Sequence, residues 1–348
     1  MQSKILLLFI CFSMANQLTS QSCLPNGLFL NTQSQVDQFS TLYPGCKVIE
    51  GGLSVNGSDI KNLDGLVQIT AIGGDFFLTN CDSIHNINGL QNVTTIGGAV
   101  RIQGQLSLES INLSKLTKVT GDYCYISDNP LVTSLDKLNA LDSVFGIFQI
   151  WSMDSIRDLN GLEKLSFVGR DFAIFKNRNL KNINALNELN HIGDGLRLYE
   201  NNVLTDVSGL SPTLKIDGPI VINDNPLLSV CNTEAICTYI KNPSSFMVFN
   251  NNSTGCSSIS EVKASCISSS EPTESISDIK IFPNPASDFF TIVGMQLLES
   301  GATLYDMKGQ TILKINVNNA TNFDISHLPV GLYIVKAGSF YRKLYIQR

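Results

Sequence analysis

"IGGDFFLTN", residues 72–80, sets two glycines before a short alternation in which Phe76 and Leu78 fall on one face. That is the pattern of a brief strand entered through a tight turn. A step of 24 residues returns the same chemistry: Phe76, Val100, Cys124, Phe148, Phe172, Leu196 and Ile220 form one column. Leu78, Ile102, Ile126, Ile150, Ile174, Leu198 and Ile222 form the next. A third column reads Leu63, Ile87, Ile111, Leu135, Leu159, Ile183, Val207, and a fourth Leu66, Leu90, Ser114, Leu138, Leu162, Leu186, Leu210. Ser114 is the exception, and Leu113 beside it points to a one-residue slip. Self-similarity at a fixed period of this length is the signature of a solenoid.

Apolar residues at 60, 63, 66, 69 and 72 have a spacing that a helix could also use, but the Gly-Gly pairs and intervening polar residues favour short extended pieces joined by bends. The expectation is therefore a mainly all-β chain. Its body is a right-handed parallel β-helix, or leucine-rich solenoid, of about seven 24-residue coils. At about 4.8 Å per coil the rod is roughly 34 Å long before its caps. No coil can bury its apolar face alone, so the coils above and below supply the core. Asn129, Asn177, Asn201 and Asn225 share a column just after the strand, where stacked amides would satisfy turn backbone groups.

Working outward, charged residues are 16 % of the 348-residue chain, below the roughly 25 % of ordinary soluble domains. The net charge is −6 and no Lys/Arg cluster occurs, which argues against a nucleic-acid partner. Residues 1–20 read as a signal peptide, with Lys4 as the positive start, Ile5–Met14 as the apolar stretch and cleavage after Ala15 or Ser20. No later run reaches the ~18 apolar residues of a transmembrane helix. Of nine cysteines, Cys11 falls in that leader, and the remaining even number in an oxidising destination predicts disulfides. Cys23 and Cys46 bracket an N-terminal cap and are paired. Cys231, Cys237, Cys256 and Cys266 bracket the other end, with a short helical piece around Ala235–Ile240 and three pairings open. Cys81 and Cys124 belong to coils two apart, too far to bridge, and read as free thiols with Cys124 in the core.

The region 21–266 resembles the receptor L-domain, the leucine-rich, single-stranded β-helix of growth-factor and insulin receptor ectodomains. The likeness rests on the coil length, on segments such as "INGLQNVTTIGGAVRI" and on the Cys-bracketed "YPGC" start and "GC…C" end. It implies a fold and a habit of binding other molecules, without naming the ligand.

Residues 267–277, ISSSEPTESIS, read as a linker. Beyond them, short alternating strands from 278 to 348 predict a small β-sandwich, with Phe290, Ile292, Leu304, Ile312, Leu332 and Ile334 as its alternating core. Its motifs are PNP-A-x-D, YDMKGQ, LPVGLYIV and a final KLYIQR, within which Pro283, Asn284, Pro285, Asp288, Gly309 and Gly331 stand out. This arrangement resembles the type A C-terminal sorting domain of the type IX secretion system. The resemblance implies the type IX secretion machinery as a partner, and a protein secreted from, or attached to the outer surface of, a Gram-negative bacterium.

No nucleophile, metal or phosphate-binding motif occurs, His85, His191 and His327 are scattered, and no cofactor or metal is implied. Coils without long insertions leave nothing to wall the groove of a β-helix glycan-degrading enzyme. Asp82-Ser83-Ile84 and Asp154-Ser155-Ile156 resemble a bacterial O-glycosylation acceptor, but turn serines are the favoured reading.

If positions 76 and 78 point inward, 75, 77 and 79 and their equivalents point out. The outward columns gather Phe77, Arg101, Tyr123, Tyr125, Trp151, Phe175, Arg197 and Tyr199, the candidate ligand-binding residues. An aromatic stripe with arginines suits a glycan or a protein partner. The competing role is a cross-strand ladder worth about 0.2–1 kcal/mol per pair. The expected function is thus a non-catalytic binding or adhesion protein of unknown ligand. The alternatives are a structural surface-layer or stalk component and, further off, a polysaccharide-degrading enzyme.

Overall fold

The computed structural model describes residues 22–242, 246–270, 280–293, 302–315, 322–337 and 340–348. The leader read over 1–20 and residues 271–277 of the linker lie outside the described residues. The chain divides into two compact units, Met1–Cys266 and Ile267–Arg348. The last helix of the solenoid, Ile259–Ser270, runs on through the first residues read as linker.

The first unit is a parallel β-helix. Its long side is a ten-stranded parallel sheet in which Phe76 pairs with Val100, Val100 with Cys124, Cys124 with Phe148, and so on to Ile220. These are the seven strands of the constant step. Three more lie at the ends: Leu28–Leu30, inside the Cys23–Cys46 bracket, and Leu53–Val55 before them, and Met247–Asn250, inside the C-terminal bracket, after. There the partners are Leu28 with Leu53, Leu53 with Phe76 and Ile220 with Met247. The first of these steps is slightly longer than the repeat, the second slightly shorter and the third longer again. The caps are therefore rungs as well as lids.

A second parallel sheet of nine two-residue strands forms another side of each coil. The slip at Ser114 is visible here. Thr95 pairs with Lys118 and Lys118 with Ser143, a short step followed by a long one. Leu113, 2 % exposed, takes the core place that Ser114 would have held. Several coils then add one 3-10 turn, such as Asp64–Leu66, Asn88–Leu90 and Asp136–Leu138. In a 3-10 turn residues three apart share a side, which is why the apolar spacing of three looked helical.

Coil stacking explains the glycines. A Cβ on Gly97 would lie 2.2 Å from the carbonyl oxygen of Gly73, and one on Gly89 would lie 1.6 Å from that of Leu63. The backbone of one coil passes over the next too closely for any side chain. At the corner after most of the long strands the chain turns through the left-handed region, with Asn80, Asp128, Ser152, Lys176, Glu200, Asp224 and Asn251 at φ 51–58° and Gly104 at φ 74°.

The next position carries the asparagine column. Asn177, Asn201 and Asn225 each accept, through Oδ1, the backbone N–H of the equivalent residue one coil earlier, at 3.0–3.2 Å. Each amide nitrogen donates to a strand carbonyl of the preceding coil: Ile150, Ile174 and Leu198. Asn129 and Gln105 do the same toward Gln105 and Cys81, and Asn252 continues the column to Asn225. Buried turn groups are thereby satisfied without water.

Cys23 is bonded to Cys46, Cys231 to Cys256 and Cys237 to Cys266. This selects one of the three pairings left open at the C-terminal cap. The helix predicted there is Glu234–Ile240, with Thr233 as its N-cap. Cys81 and Cys124 are free and buried.

The second unit consists of two antiparallel sheets among the described residues, one of three strands and one of four. Phe290, Ile292 and Leu304 are buried as expected. The rest of the predicted core is corrected: Ile312 is exposed and Leu332 and Ile334 are only half-buried. Tyr333 and Val335 point inward instead, joined by Leu344 and Ile346. In Leu332-Tyr333-Ile334-Val335 both faces are apolar, so alternation alone does not set the phase. Tyr333 can face the core because its hydroxyl donates to the Pro329 carbonyl at 2.9 Å.

Candidate functional site

The outward side of the ten-stranded sheet carries the predicted aromatic residues at register positions that the parallel pairing enforces. Trp151 lies beside Phe175, and Phe175 beside Tyr199, on successive rungs. Their rings are near parallel, with centroids 5.5 Å and 4.6 Å apart. Tyr125 meets Trp151 edge-on at 5.4 Å, and Tyr123 stacks on Tyr125 at 4.2 Å. Phe77 is parallel to Tyr123 at 6.5 Å, with the Arg101 guanidinium 5.6 Å and 5.4 Å from their centroids. Arg101 also donates to the Tyr123 hydroxyl at 3.1 Å. Arg197 is drawn to the side by Asp171, at 2.9 Å. All eight predicted residues thus share one face, and all are half-buried.

Geometry limits what these groups can do. Rings stacked face to face at the rung spacing cover one another's π-faces and turn their edges to solvent. The Trp151–Phe175–Tyr199 run is a cross-strand ladder first, and any partner meets ring edges, phenol hydroxyls and guanidinium groups. Burial, then the neighbouring Tyr123 phenol, pushes the Tyr125 hydroxyl above its ordinary pKa, against Arg101 and Arg170. Burial, then Glu200, does the same for Tyr199, against Arg197. Both phenols are neutral donors at physiological pH.

The constant step missed one part of this face. Phe29 pairs with Ser54 and Ser54 with Phe77, because the first step is lengthened and the second shortened. Stepping back from Phe77 by the repeat length lands on the inward Leu53, so the true neighbour was hidden. Phe29, 68 % exposed, and Phe77 line a cavity of 320 Å³ with Asn26, Ser54 and Asp75. A separate polar groove of 720 Å³ is lined by Thr133, Ser155, Arg157, Asp158, Asn179 and Lys181.

Other motifs resolve as structural groups. Ser83 Oγ donates to the Ser58 carbonyl at 2.7 Å and Ser155 Oγ to that of Pro130 at 2.5 Å, each a tie to the preceding coil. His191 Nε2 lies 2.7 Å from Asp217 Oδ2 on the surface. Among the described residues no group of three or more His, Cys, Asp or Glu side chains is placed to hold a metal ion.

In the second unit the Pro-Asn-Pro motif is stitched to the end of the chain. Asn284 Nδ2 donates to the Lys343 carbonyl at 2.7 Å, and its Oδ1 accepts the Tyr345 N–H at 2.9 Å. Ala286 N–H donates to Tyr345 and Gln347 N–H to Ala286, at 2.8 and 2.9 Å. In YDMKGQ, Asp306 Oδ1 accepts the N–H groups of Lys308 and Gln310, while Gly309 takes φ 79°. Asp288 receives the Ile325 N–H on its backbone carbonyl, and Gly331 opens the strand Gly331–Ala337. Asn284 and Asp306 are the motif residues whose side chains tie this small sandwich together.

Residues 280–345 match the secretion system C-terminal sorting domain family. No curated protein matches the chain. The sorting domain implies interaction with the type IX secretion machinery, and no helix among the described residues is long and apolar enough to cross a membrane. The protein is secreted from, or attached to the outer surface of, a Gram-negative bacterium.

Proposed function

We propose that the exported protein is a non-catalytic binding or adhesion protein that meets a glycan or protein ligand with the outward face of its ten-stranded sheet. The observation that carries this reading is the unbroken run of half-buried rings and arginines from Phe77 to Tyr199 on an exposed sheet. Aromatic and arginine side chains are the groups that dominate binding energy at interfaces. The likeness of region 21–266 to the receptor L-domain supports the same reading: a stack of short coils closed at both ends by disulfides, in a family with a habit of binding. The even step of the coils supports a role other than catalysis, because no insertion walls the sheet face.

The test is an array of glycans and host proteins probed with the purified protein and with a Trp151→Ala/Tyr199→Ala double variant. Binding should fall at least about tenfold, equivalent to about 1.4 kcal/mol, while the disulfides and fold persist. Binding unchanged by the double variant would place the site elsewhere. A large loss of stability without loss of binding would leave the rings a ladder only.

A further inference from the structure

The outward column that runs through Phe77 begins with a serine between two phenylalanines, and the gap there is built like a slot. Phe29, Ser54 and Phe77 are successive partners in the outward column, so a small hydroxymethyl group stands between two phenyl rings. Two rungs separate the phenylalanines, about 9.6 Å at the sheet spacing. One saturated or planar ring in van der Waals contact on both sides needs roughly 7–8 Å, so a single ring enters with about 2 Å to spare and a second does not fit. The cavity there, 320 Å³, is at the small end of ligand clefts. Elsewhere on this face Tyr123 and Tyr125, and Trp151, Phe175 and Tyr199, spend π-faces on each other. Here Arg101 and Tyr123 sit on the far side of Phe77, leaving its Ser54 side open.

Polar groups surround the gap. Asn26, Ser54 and Asp75 line it. Asp75 uses Oδ1 to accept the Ala99 N–H at 2.7 Å. Among the described residues neither its Oδ2, the Ser54 hydroxyl nor the Asn26 amide has a hydrogen-bond partner. Gly27, Gly52 and Gly74 complete the wall, so backbone comes close to whatever enters. Two apolar plates with a carboxylate, an amide and a hydroxyl between them match a pyranose ring. Its axial C–H groups face the plates while its equatorial hydroxyls reach Asp75, Asn26 and Ser54. A phenyl or indole ring would bury those polar groups unpaired, which costs free energy.

We propose that the slot formed by Phe29, Ser54 and Phe77 binds a single pyranose residue, free or at the end of a glycan. This rests on the binding function proposed above and narrows its ligand to a sugar at one rung. The test is saturation-transfer NMR of the purified protein with a panel of methyl pyranosides of hexoses and N-acetylhexosamines. At least one should receive transfer on its ring C–H protons. Ser54→Phe sets a third ring between Phe29 and Phe77 and fills the slot, so transfer should fall at least about tenfold with no loss of thermal stability. Phe29→Ala, which removes an exposed wall and no core group, gives a second reading if Ser54→Phe does not fold. Absence of transfer to every pyranoside, or transfer that survives both slot variants, overturns the proposal. Filling of the slot by a Trp- or Tyr-containing peptide in place of the sugars would overturn the sugar assignment, while the wider binding function would stand.

Discussion

Asn201 Oδ1 accepts the backbone N–H of Asn177 at 3.2 Å, while its Nδ2 donates to the Ile174 carbonyl at 2.9 Å. One side chain, wholly buried, satisfies a turn N–H and a strand carbonyl of the coil before it. Asn201→Ala leaves a donor and an acceptor stranded in the core. Each such loss costs about 1–3 kcal/mol, so the variant should be destabilised by about 2–4 kcal/mol in urea denaturation. A loss below about 1 kcal/mol would mean that relaxation or water replaces the amide, and that the column matters for register only.

The same column has a flaw. At position 153 a methionine stands where neighbouring coils place an amide, and Asn129 Nδ2 meets its sulfur at 3.7 Å. Thioether sulfur is a weak acceptor. Met153→Asn should put an amide oxygen toward Asn129 and raise stability by about 0.5–1.5 kcal/mol. The comparison is the denaturation midpoint of the variant against the parent. A drop would show that the sulfur's packing outweighs the missing acceptor.

Much of this was legible because parallel stacking repeats one coil's chemistry at a constant step. Phe76 and Leu78 fixed the inward face of the long strand, and Leu113 beside Ser114 announced the slip between the two small strands on either side of it. Legibility failed where the constant step failed. Phe29, Ser54 and Phe77 are neighbours only because a lengthened step and a shortened one cancel, which no single column shows. It failed again at Tyr333, where both faces of a strand are apolar and a tyrosine hydroxyl bonded to Pro329 decides the phase. The face-to-face stacking of the rings was also beyond reach, since register places them on one side but rotamers set their planes.

Cys124 predicts a pH dependence. Burial pushes its thiol from 9.0 up to about 12. The folded state therefore holds this proton more tightly than the unfolded chain does. The sign follows: the contribution is fully present below pH 9.0 and is lost as pH rises toward about 12. Denaturation at pH 7.5 and at pH 10.5 should show a fall in stability that Cys124→Val reduces. Iodoacetamide at pH 8 should leave Cys124 and Cys81, also raised by burial, unlabelled until denaturant is added. Labelling of Cys124 in the native protein would contradict its place in the core.

The tail yields the last expectation. Its own core, from Ala286 to Ile346, is separate from that of the solenoid, so the two cores do not depend on shared side chains. Removing residues 278–348 should leave a folded solenoid with all three disulfides, trapped in the periplasm. Asn284→Ala is the finer instrument, because it deletes both side-chain bonds that tie the motif to Lys343 and Tyr345. Such partly exposed bonds are worth about 0.5–1.5 kcal/mol each, enough to free the final strand without unfolding the solenoid. Fractionation with immunoblotting should then show the point variant partly retained and the deletion wholly retained, both with the parent's solenoid stability. A deletion that still reached the medium or the cell surface would show that export does not depend on this module. A point variant exported as well as the parent would show that the machinery reads some other part of the sandwich.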